Sequence, residues 1–118
     1  MMYRNTDSWV LHADVYGTPE GFEVFVEVPG VLLEDIDLEV TPLTLSISGM
    51  KRTPCRGATA LGIEIQTGSF EREIHLPARV DTSSVSADLK NGVLHVRLAR
   101  KTPVRVTIPV QSEGNTNK

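Results

Sequence analysis

The sequence predicts an all-β protein folded as an antiparallel β-sandwich. Apolar and polar residues alternate along most of the chain in short runs, which is the pattern of strands with one buried face. Nine glycines and seven prolines among 118 residues punctuate these runs, and only 5% of residues are aromatic. Many short alternating strands divided by turns favour a sandwich over a helical or parallel-sheet protein. A chain of this length forms one domain around a single core.

Four alternating runs lie in the first half of the chain. In each of them every second residue is apolar, so we expect one face of each strand to be buried. Pro and Gly in the sequences TPEG and VPG mark turns between them. The runs are VLHADVY (residues 10–16), FEVFVEV (22–28), DIDLEV (35–40) and LTLSI (43–47).

Four more runs follow a long break, which we expect to be a flexible loop over residues 49–60. Before the last run, Asn91-Gly92 is the residue pair typical of a two-residue type I′ turn. The last two runs are therefore predicted to pair as an antiparallel hairpin. The four runs are LGIEI (61–65), SFEREIHL (69–76), SVSADL (84–89) and VLHVRL (93–98).

Composition and charge exclude several classes of function. The formal net charge of −3 and the pI near 5.6 argue against general binding to nucleic acid or to a membrane surface. Residues 1–59 hold four Lys/Arg and nine Asp/Glu, whereas residues 60–118 hold eight and six, so two copies can attract each other through opposite halves. The chain shows no signal-peptide pattern, no membrane-spanning run and a single cysteine, Cys55. We therefore expect a cytoplasmic protein without an internal disulfide.

The sequence carries no recognisable catalytic or metal-binding pattern. His12, His75 and His95 each lie in a strand pattern, where histidine is usually a packing or surface residue, and no two have the spacing of metal ligands. Cys55 has no CxxC partner and is interpreted as an incidental loop cysteine. No glycine-rich phosphate loop is found. We predict a protein that is not an enzyme and takes no metal or cofactor.

The segment after the last run has an apolar alternation of its own. Val104, Val106, Ile108 and Val110 fall on one side of an extended chain. Pro109 removes a backbone donor, which excludes a central strand. The residues alone leave two interpretations open, an ordinary edge strand and an apolar ligand for another surface.

Four motifs, in order, resemble those of the small heat-shock protein (α-crystallin, Hsp20) family. EVPGVLLEDIDLEV (27–40) is similar to the family's D-L-P-G-v-x-x-e-D-I, and GSFEREIHLP (68–77) to its G-x-F-x-R-x-x-x-L-P. ADLKNGVLHVRL (87–98) resembles the A-x-x-x-n-G-V-L signature, and IPV (108–110) the I-x-I/V tail motif. The resemblance covers residues 9 to 110. The signature positions are Ala87, Gly92, Val93 and Leu94.

This resemblance implies a fold, a domain organisation and an activity. The fold is the immunoglobulin-like antiparallel sandwich called the α-crystallin domain, expected over residues 9–102. Residues 1–8 would form a short N-terminal arm and residues 103–118 a C-terminal extension with the tail motif. The activity is that of an ATP-independent holdase, which binds partly unfolded proteins under stress and prevents their aggregation.

The resemblance also implies a docking site for the tail. In the family, the tail motif of one subunit binds a groove between two strands of another subunit, expected here at residues 36–41 and 84–89. A plain core role explains the alternation of those strands equally well. The predicted tail residues are Val106, Ile108, Pro109 and Val110, and the predicted groove residues are Ile36, Leu38, Val40, Val85, Ala87 and Leu89.

Bacterial and plant members of the family form dimers by lending a strand from the long loop to the partner's sheet. The apolar alternation of residues 61–65 fits such a donated strand, and a local hairpin with the next strand is the alternative. Family members often carry Glu-Arg where this chain has Glu64-Ile65, which removes any ion pair that the arginine makes across the dimer. The predicted exchange residues are Leu61, Ile63, Glu64, Ile65 and Arg72.

Two classes of function follow from these expectations. The first is a holdase that assembles from homodimers into larger homo-oligomers through its tails, with unfolded proteins as clients. The second is a binding module or co-chaperone that caps or modifies other small heat-shock oligomers. It would have little holdase activity of its own, because only about eight residues precede Trp9 where family members carry a longer apolar arm.

Overall fold

A computed structural model describes residues 9–102 and 107–113 of the chain. Within these residues, seven strands and one short 3-10 helix, Leu33–Asp35, follow one another. The strands are β1 (Ala13–Gly17), β2 (Gly21–Glu27), β3 (Ile36–Val40), β4 (Thr44–Lys51), β5 (Gly68–His75), β6 (Val80–Lys90) and β7 (Val93–Arg100).

The described strands form two antiparallel sheets. One sheet has four strands in the order β1-β2-β7-β6, and the other has three in the order β3-β4-β5. Arg72 on β5 and Val80 on β6 bridge the two sheets at opposite sides, the first to Leu11 ahead of β1 and the second to Pro42 in the β3–β4 turn. The predicted all-β antiparallel sandwich is confirmed.

Alternating aliphatic residues from both sheets fill the space between them. Val24 and Val26 of β2, Leu45 and Ile47 of β4, and Val96 of β7 are completely buried. Burying a side chain of this size stabilises a fold by about 1.5–3 kcal/mol. The alternation read from the sequence therefore identifies the buried faces of these strands correctly.

The β6–β7 hairpin closes through the predicted two-residue turn. Lys90 and Val93 are the last paired residues, which leaves Asn91 and Gly92 as the turn. Both have positive φ angles, +53° and +76°, as a type I′ turn requires at its two central residues. The signature residues Ala87, Gly92, Val93 and Leu94 thus all lie on this hairpin.

The first predicted strand is shorter than its alternating pattern. β1 begins at Ala13, not at residue 10. The segment ahead of it turns inward instead, because Leu11 is only 1% exposed and the His12 carbonyl accepts a hydrogen bond from Glu27 N–H at 3.0 Å. Residues 9–12 therefore close one side of the sandwich.

The long loop also differs from the sequence prediction. It covers residues 52–67 and not 49–60, because β4 continues to Lys51 in register with Gly68 of β5. The prediction of a strand at residues 61–65 is wrong for the single chain, where these residues form no strand. An extended segment becomes a strand only beside another edge, and none in the described residues pairs with it.

β6 is longer than predicted and irregular at its start. It begins at Val80, but its pairing with β7 is interrupted between Val80 and Val85. In this bulge Asp81 accepts hydrogen bonds from Ser83 N–H at 3.0 Å and from Ser83 Oγ at 2.6 Å. The bulged residues are thus held by a local turn in place of the sheet ladder.

Candidate interface surfaces

The predicted docking groove residues lie on two edge strands at one side of the sandwich. β3 is the edge of the three-stranded sheet and β6 the edge of the four-stranded sheet. The start of β6 is connected to the turn that follows the end of β3, where Val80 N–H donates to the Pro42 carbonyl at 2.8 Å. Five of the six residues are half-buried against the core and Ala87 is exposed; the half-buried residues are Ile36, Leu38, Val40, Val85 and Leu89. We call these six residues the docking groove.

The three described tail residues, Ile108, Pro109 and Val110, do not pack on their own domain. Residues 107–113 form no strand, and Ile108 and Val110 are 75% and 95% exposed. Pro109 is exposed as well. The fourth predicted tail residue, Val106, lies outside the described residues. The intramolecular edge strand, one of the two interpretations left open by the sequence, is therefore not formed by residues 107–113.

The predicted exchange residues of the long loop are also largely exposed. Leu61 and Ile65 are 75% and 66% exposed, Glu64 is exposed and Ile63 is half-buried. We call residues 61–65 the exchange segment. In the part of the chain that the structure describes, none of these residues makes a hydrogen bond or ion pair.

β1 offers an unpaired strand edge to match this segment. Among the described strands it pairs only with β2, so its other edge is open. Val15 and Tyr16 on β1 are 40% and 55% exposed, although such residues favour half-buried strands. Native proteins usually pair, cover or charge an exposed edge.

The Arg72 side chain lies on the inner face of β5, toward the interior of the sandwich, and not on the outer face. It shares the inward face of β5 with the buried residues Phe70 and Ile74 and is itself half-buried. Its Nη1 donates to the carbonyl of Leu11 at 2.6 Å, across 61 positions of sequence. Within the described residues, Arg72 makes no ion pair.

The long loop is tied to the sandwich at its first residue. Arg52 Nε donates to Asp35 Oδ2 at 2.7 Å, and Arg52 Nη2 donates to Asp35 Oδ1 at 2.8 Å. These hydrogen bonds and the charge of Asp35 raise the pKa of Arg52 above its ordinary value. We call this pair the Arg52–Asp35 clamp. The sequence gives no signal of this pair, because no spacing rule connects two residues that lie 17 positions apart.

Comparison with known proteins decides which family this arrangement belongs to. Residues 14–111 match the profile of the "Hsp20/alpha crystallin family". The chain belongs to the Hsp20/alpha crystallin family. The sandwich is therefore an α-crystallin domain. Members of this family are non-enzymatic chaperones and are typically oligomeric, so the prediction that the chain is not an enzyme is confirmed by the family.

Individual relatives agree with this assignment. Small heat shock protein C2 of Rickettsia felis is 32% identical over 107 residues, covering 89% of this chain and 63% of that protein. The chain thus spans less than two thirds of that relative's length. The structure of heat shock protein 16.0 from Schizosaccharomyces pombe is similar with a TM-score of 0.72 and 28% identity, over 88% of this chain and all of that one. A small heat-shock protein from Xylella fastidiosa, described as having a distinct high order structure, gives a TM-score of 0.70 at 28% identity, also over 88% of this chain and all of its own.

The histidines of this small heat shock protein make local contacts. His95 stacks on Phe25 with ring centroids 4.2 Å apart, and its Nε2 lies 2.7 Å from Glu23 Oε1. His75 is exposed at the end of β5, and His12 lies ahead of β1. Over residues 9–102 and 107–113, no three His, Cys, Asp or Glu side chains are grouped closely enough to hold a metal ion.

Two further sequence expectations concern Cys55 and membranes. Cys55 is a free, exposed thiol in the long loop. Of the helices in the described ranges, none is long and apolar enough to cross a bilayer.

Proposed function

We propose that this small heat shock protein is an ATP-independent holdase for partly unfolded proteins. The observation that carries the proposal, beside the family, is the set of apolar side chains that the folded chain leaves exposed. Ile108, Val110 and Leu61 are each at least 75% exposed, on segments outside the two sheets. Exposed apolar surface of this kind marks interaction sites. Clients and other subunits are the partners that such segments suit.

The proposed dimer forms by strand exchange. The exchange segment of one subunit adds to the open edge of the partner's β1, which satisfies backbone groups on both strands. Its apolar alternation through Leu61, Ile63 and Ile65 then extends the inner side of the partner's sheet. Arg72 supports the idea because it is a half-buried cation without an ion-pair partner in the described residues, and it donates to the Leu11 carbonyl just ahead of the edge strand β1. Glu64 lies within the donated strand and alternates with its apolar residues, so it would face away from the partner's core.

Larger assemblies form in this proposal through the tail. Ile108 and Val110 insert into the docking groove of a neighbouring dimer, where five half-buried aliphatic residues offer an apolar floor. The division into an arm over residues 1–8, a domain over 9–102 and an extension over 103–118 belongs to the same proposal. So does a cytoplasmic location, where such a chaperone meets newly unfolded proteins.

A client-aggregation assay tests the holdase. Equimolar or lower amounts of the protein should suppress heat- or reductant-induced aggregation of a client equally with and without ATP. Strict dependence on ATP, or no suppression at any ratio, would contradict the proposal. Mixing with another small heat shock oligomer while recording light scattering separates the capping module, which would change the size of that oligomer and leave client aggregation unaffected.

A further inference from the structure

The exchange segment has two competing partners. One is the β1 edge of a second subunit, and the other is the first half of its own loop. β4 and β5 pair in register up to Lys51 and Gly68. If this ladder continued, Arg52 would face Thr67 and Pro54 would face Ile65. The exchange segment would then pair with the first half of its own loop in a longer local hairpin. A subunit in that state has no free strand to donate to a partner.

Three features of the described residues end the ladder at Lys51. Gly68 has a φ angle of +101°, a left-handed conformation that turns the returning leg of the loop out of the ladder. Pro54 fixes its own φ at about −65°, away from the φ of about −140° that a regular antiparallel strand adopts. The third feature is the Arg52–Asp35 clamp, which draws the outgoing leg toward β3, whereas β5 lies on the other side of β4.

Of these three features, only the clamp is a contact between side chains that are distant in sequence. In the described part of the chain, no other residue of the loop makes a hydrogen bond or ion pair with the sandwich. Asp35 is also held in a well-packed position. Its side chain is only 14% exposed, and its carbonyl lies close enough to β4 that a Cβ at Gly49 would approach it to 2.1 Å. The sandwich therefore fixes the position of the carboxylate to which Arg52 binds.

We propose that the Arg52–Asp35 clamp is a ladder stop, a positioning pair that prevents the loop from closing on itself and keeps residues 61–65 available to a second copy of this chain. The inference rests on the proposed strand exchange and adds to it the residues that choose exchange over the local hairpin. Arg52 and Asp35 themselves touch no partner in this scheme. Their effect is to increase the fraction of molecules in which the loop has not closed into the local hairpin.

Removal of either charge of the clamp should weaken the dimer and lengthen the local hairpin. Arg52→Gln and Asp35→Asn each abolish the charged bidentate pair. We expect the dimer dissociation constant to rise about two- to fivefold, the size of effect expected for one exposed ion pair. Sedimentation equilibrium measures that constant. The difference from the unmodified protein should shrink in 1 M salt, where the screening length falls to about 3 Å.

Hydrogen exchange separates a ladder stop from a merely stabilising contact. In the Arg52→Gln and Asp35→Asn variants, the amide of Gln66 should exchange more slowly, because in the longer ladder it would donate to the Thr53 carbonyl, continuing the pattern in which Leu76 N–H donates to the Leu43 carbonyl. Simple destabilisation would make the same amide exchange faster. Faster or unchanged exchange in both variants would overturn the inference.

Matched controls come from the same surfaces. Arg56→Gln removes an equal charge from the same loop, and Asp37→Asn removes a carboxylate two residues along from Asp35; neither residue makes an ion pair in the described residues. Both controls should leave the dimer constant and the exchange rates unchanged. The double variant Asp35→Arg with Arg52→Asp should restore both quantities, at least in part.

Comparing Ile63→Pro with the two clamp variants distinguishes the ladder stop from the strand exchange on which it depends. If Ile63→Pro leaves the dimer intact, strand exchange is wrong and the ladder stop falls with it. If Ile63→Pro dissociates the dimer while Arg52→Gln and Asp35→Asn behave like their controls, strand exchange stands and the ladder stop alone is overturned.

Discussion

At the residue scale, Asp81 is the carboxylate whose ionisation the fold shifts most directly. The Ser83 hydroxyl and then the Ser83 backbone N–H donate to it, and these bonds hold the pKa of Asp81 below its ordinary value of 3.8. A depressed carboxyl pKa contributes stability that is present above the unfolded-state value. That contribution is lost as the pH falls through the lower folded-state pKa.

Ser83→Ala should return the pKa of Asp81 toward 3.8, because it removes the larger of the two effects. The acid limb of the stability curve should then depend less on pH below that value. A carbon-detected NMR titration of the Asp81 carboxyl measures the shift. Ser84→Ala is the control, since the Ser84 side chain makes no hydrogen bond in the described residues, and an equal response in both variants would contradict the assignment.

At the scale of elements, the loop between β4 and β5 is the element on which the proposed dimer depends. It is the one long irregular connection of the described sandwich, it is exposed along most of its length, and it contains an alternating apolar segment without a strand partner. An unpaired segment of that kind and an unpaired edge on β1 complement each other. In the proposed dimer, two copies of the chain would satisfy both at once by a symmetric exchange.

Proline at Ile63 should abolish the proposed exchange. Ile63→Pro removes a backbone donor at the centre of the donated strand and disfavours the extended ladder. We expect a folded monomer or a misassembled product at low micromolar concentration, as measured by light scattering. The segment lies outside the described sheets, so the circular dichroism of the sandwich should persist. A variant that remains dimeric would favour the local hairpin.

At the scale of the whole molecule, the proposed assembly uses the tail as a weak connector that is repeated many times. Full burial of Ile108 and Val110 offers roughly 3–6 kcal/mol before the entropy of ordering the tail is subtracted. One docked tail should therefore exchange readily. Several tails in one particle gain from a high effective concentration, which holds a large assembly together while subunits still leave and return.

Replacing both Ile108 and Val110 by alanine should reduce any oligomer to dimers without unfolding the domain. Both side chains project into solvent in the single chain, so the core does not depend on them. Mass from light scattering and secondary structure from circular dichroism are the two measurements. Retention of the full oligomer size would show that the tail is not the connector, and unfolding would show that it belongs to the domain.

Salt should loosen the assembly modestly. Lys101 lies just ahead of the extension, while Asp37 and Glu39 are exposed on β3 and make no ion pair in the described residues. Exposed pairs of this kind contribute about 0.2–1 kcal/mol each and are screened over roughly 8–10 Å at ordinary ionic strength. Raising the salt concentration should shift the light-scattering mass toward dimers. Assembly that strengthens steadily with salt would mean that apolar burial dominates.

Much of this protein is determined by its sequence alone, because strand alternation and turn chemistry are local. The buried faces of β2, β4 and β7, the Asn91-Gly92 turn and the family motifs can all be read within a few neighbouring residues. These local preferences agree with the observed fold, which is why they predict its class and its family.

Only the tertiary structure decided which segments find partners. The alternating residues 61–65 have a strand's pattern and no strand edge beside them in the single chain, and residues 10–12 have the same pattern but turn inward to bury Leu11. Arg72 reaches the Leu11 carbonyl and Arg52 reaches Asp35 only because the two sheets and the β3–β4 hairpin bring distant residues together. Periodicity states which face of a strand is apolar, but the pairing of edges and charges depends on through-space distances that exist only once the chain has closed on itself.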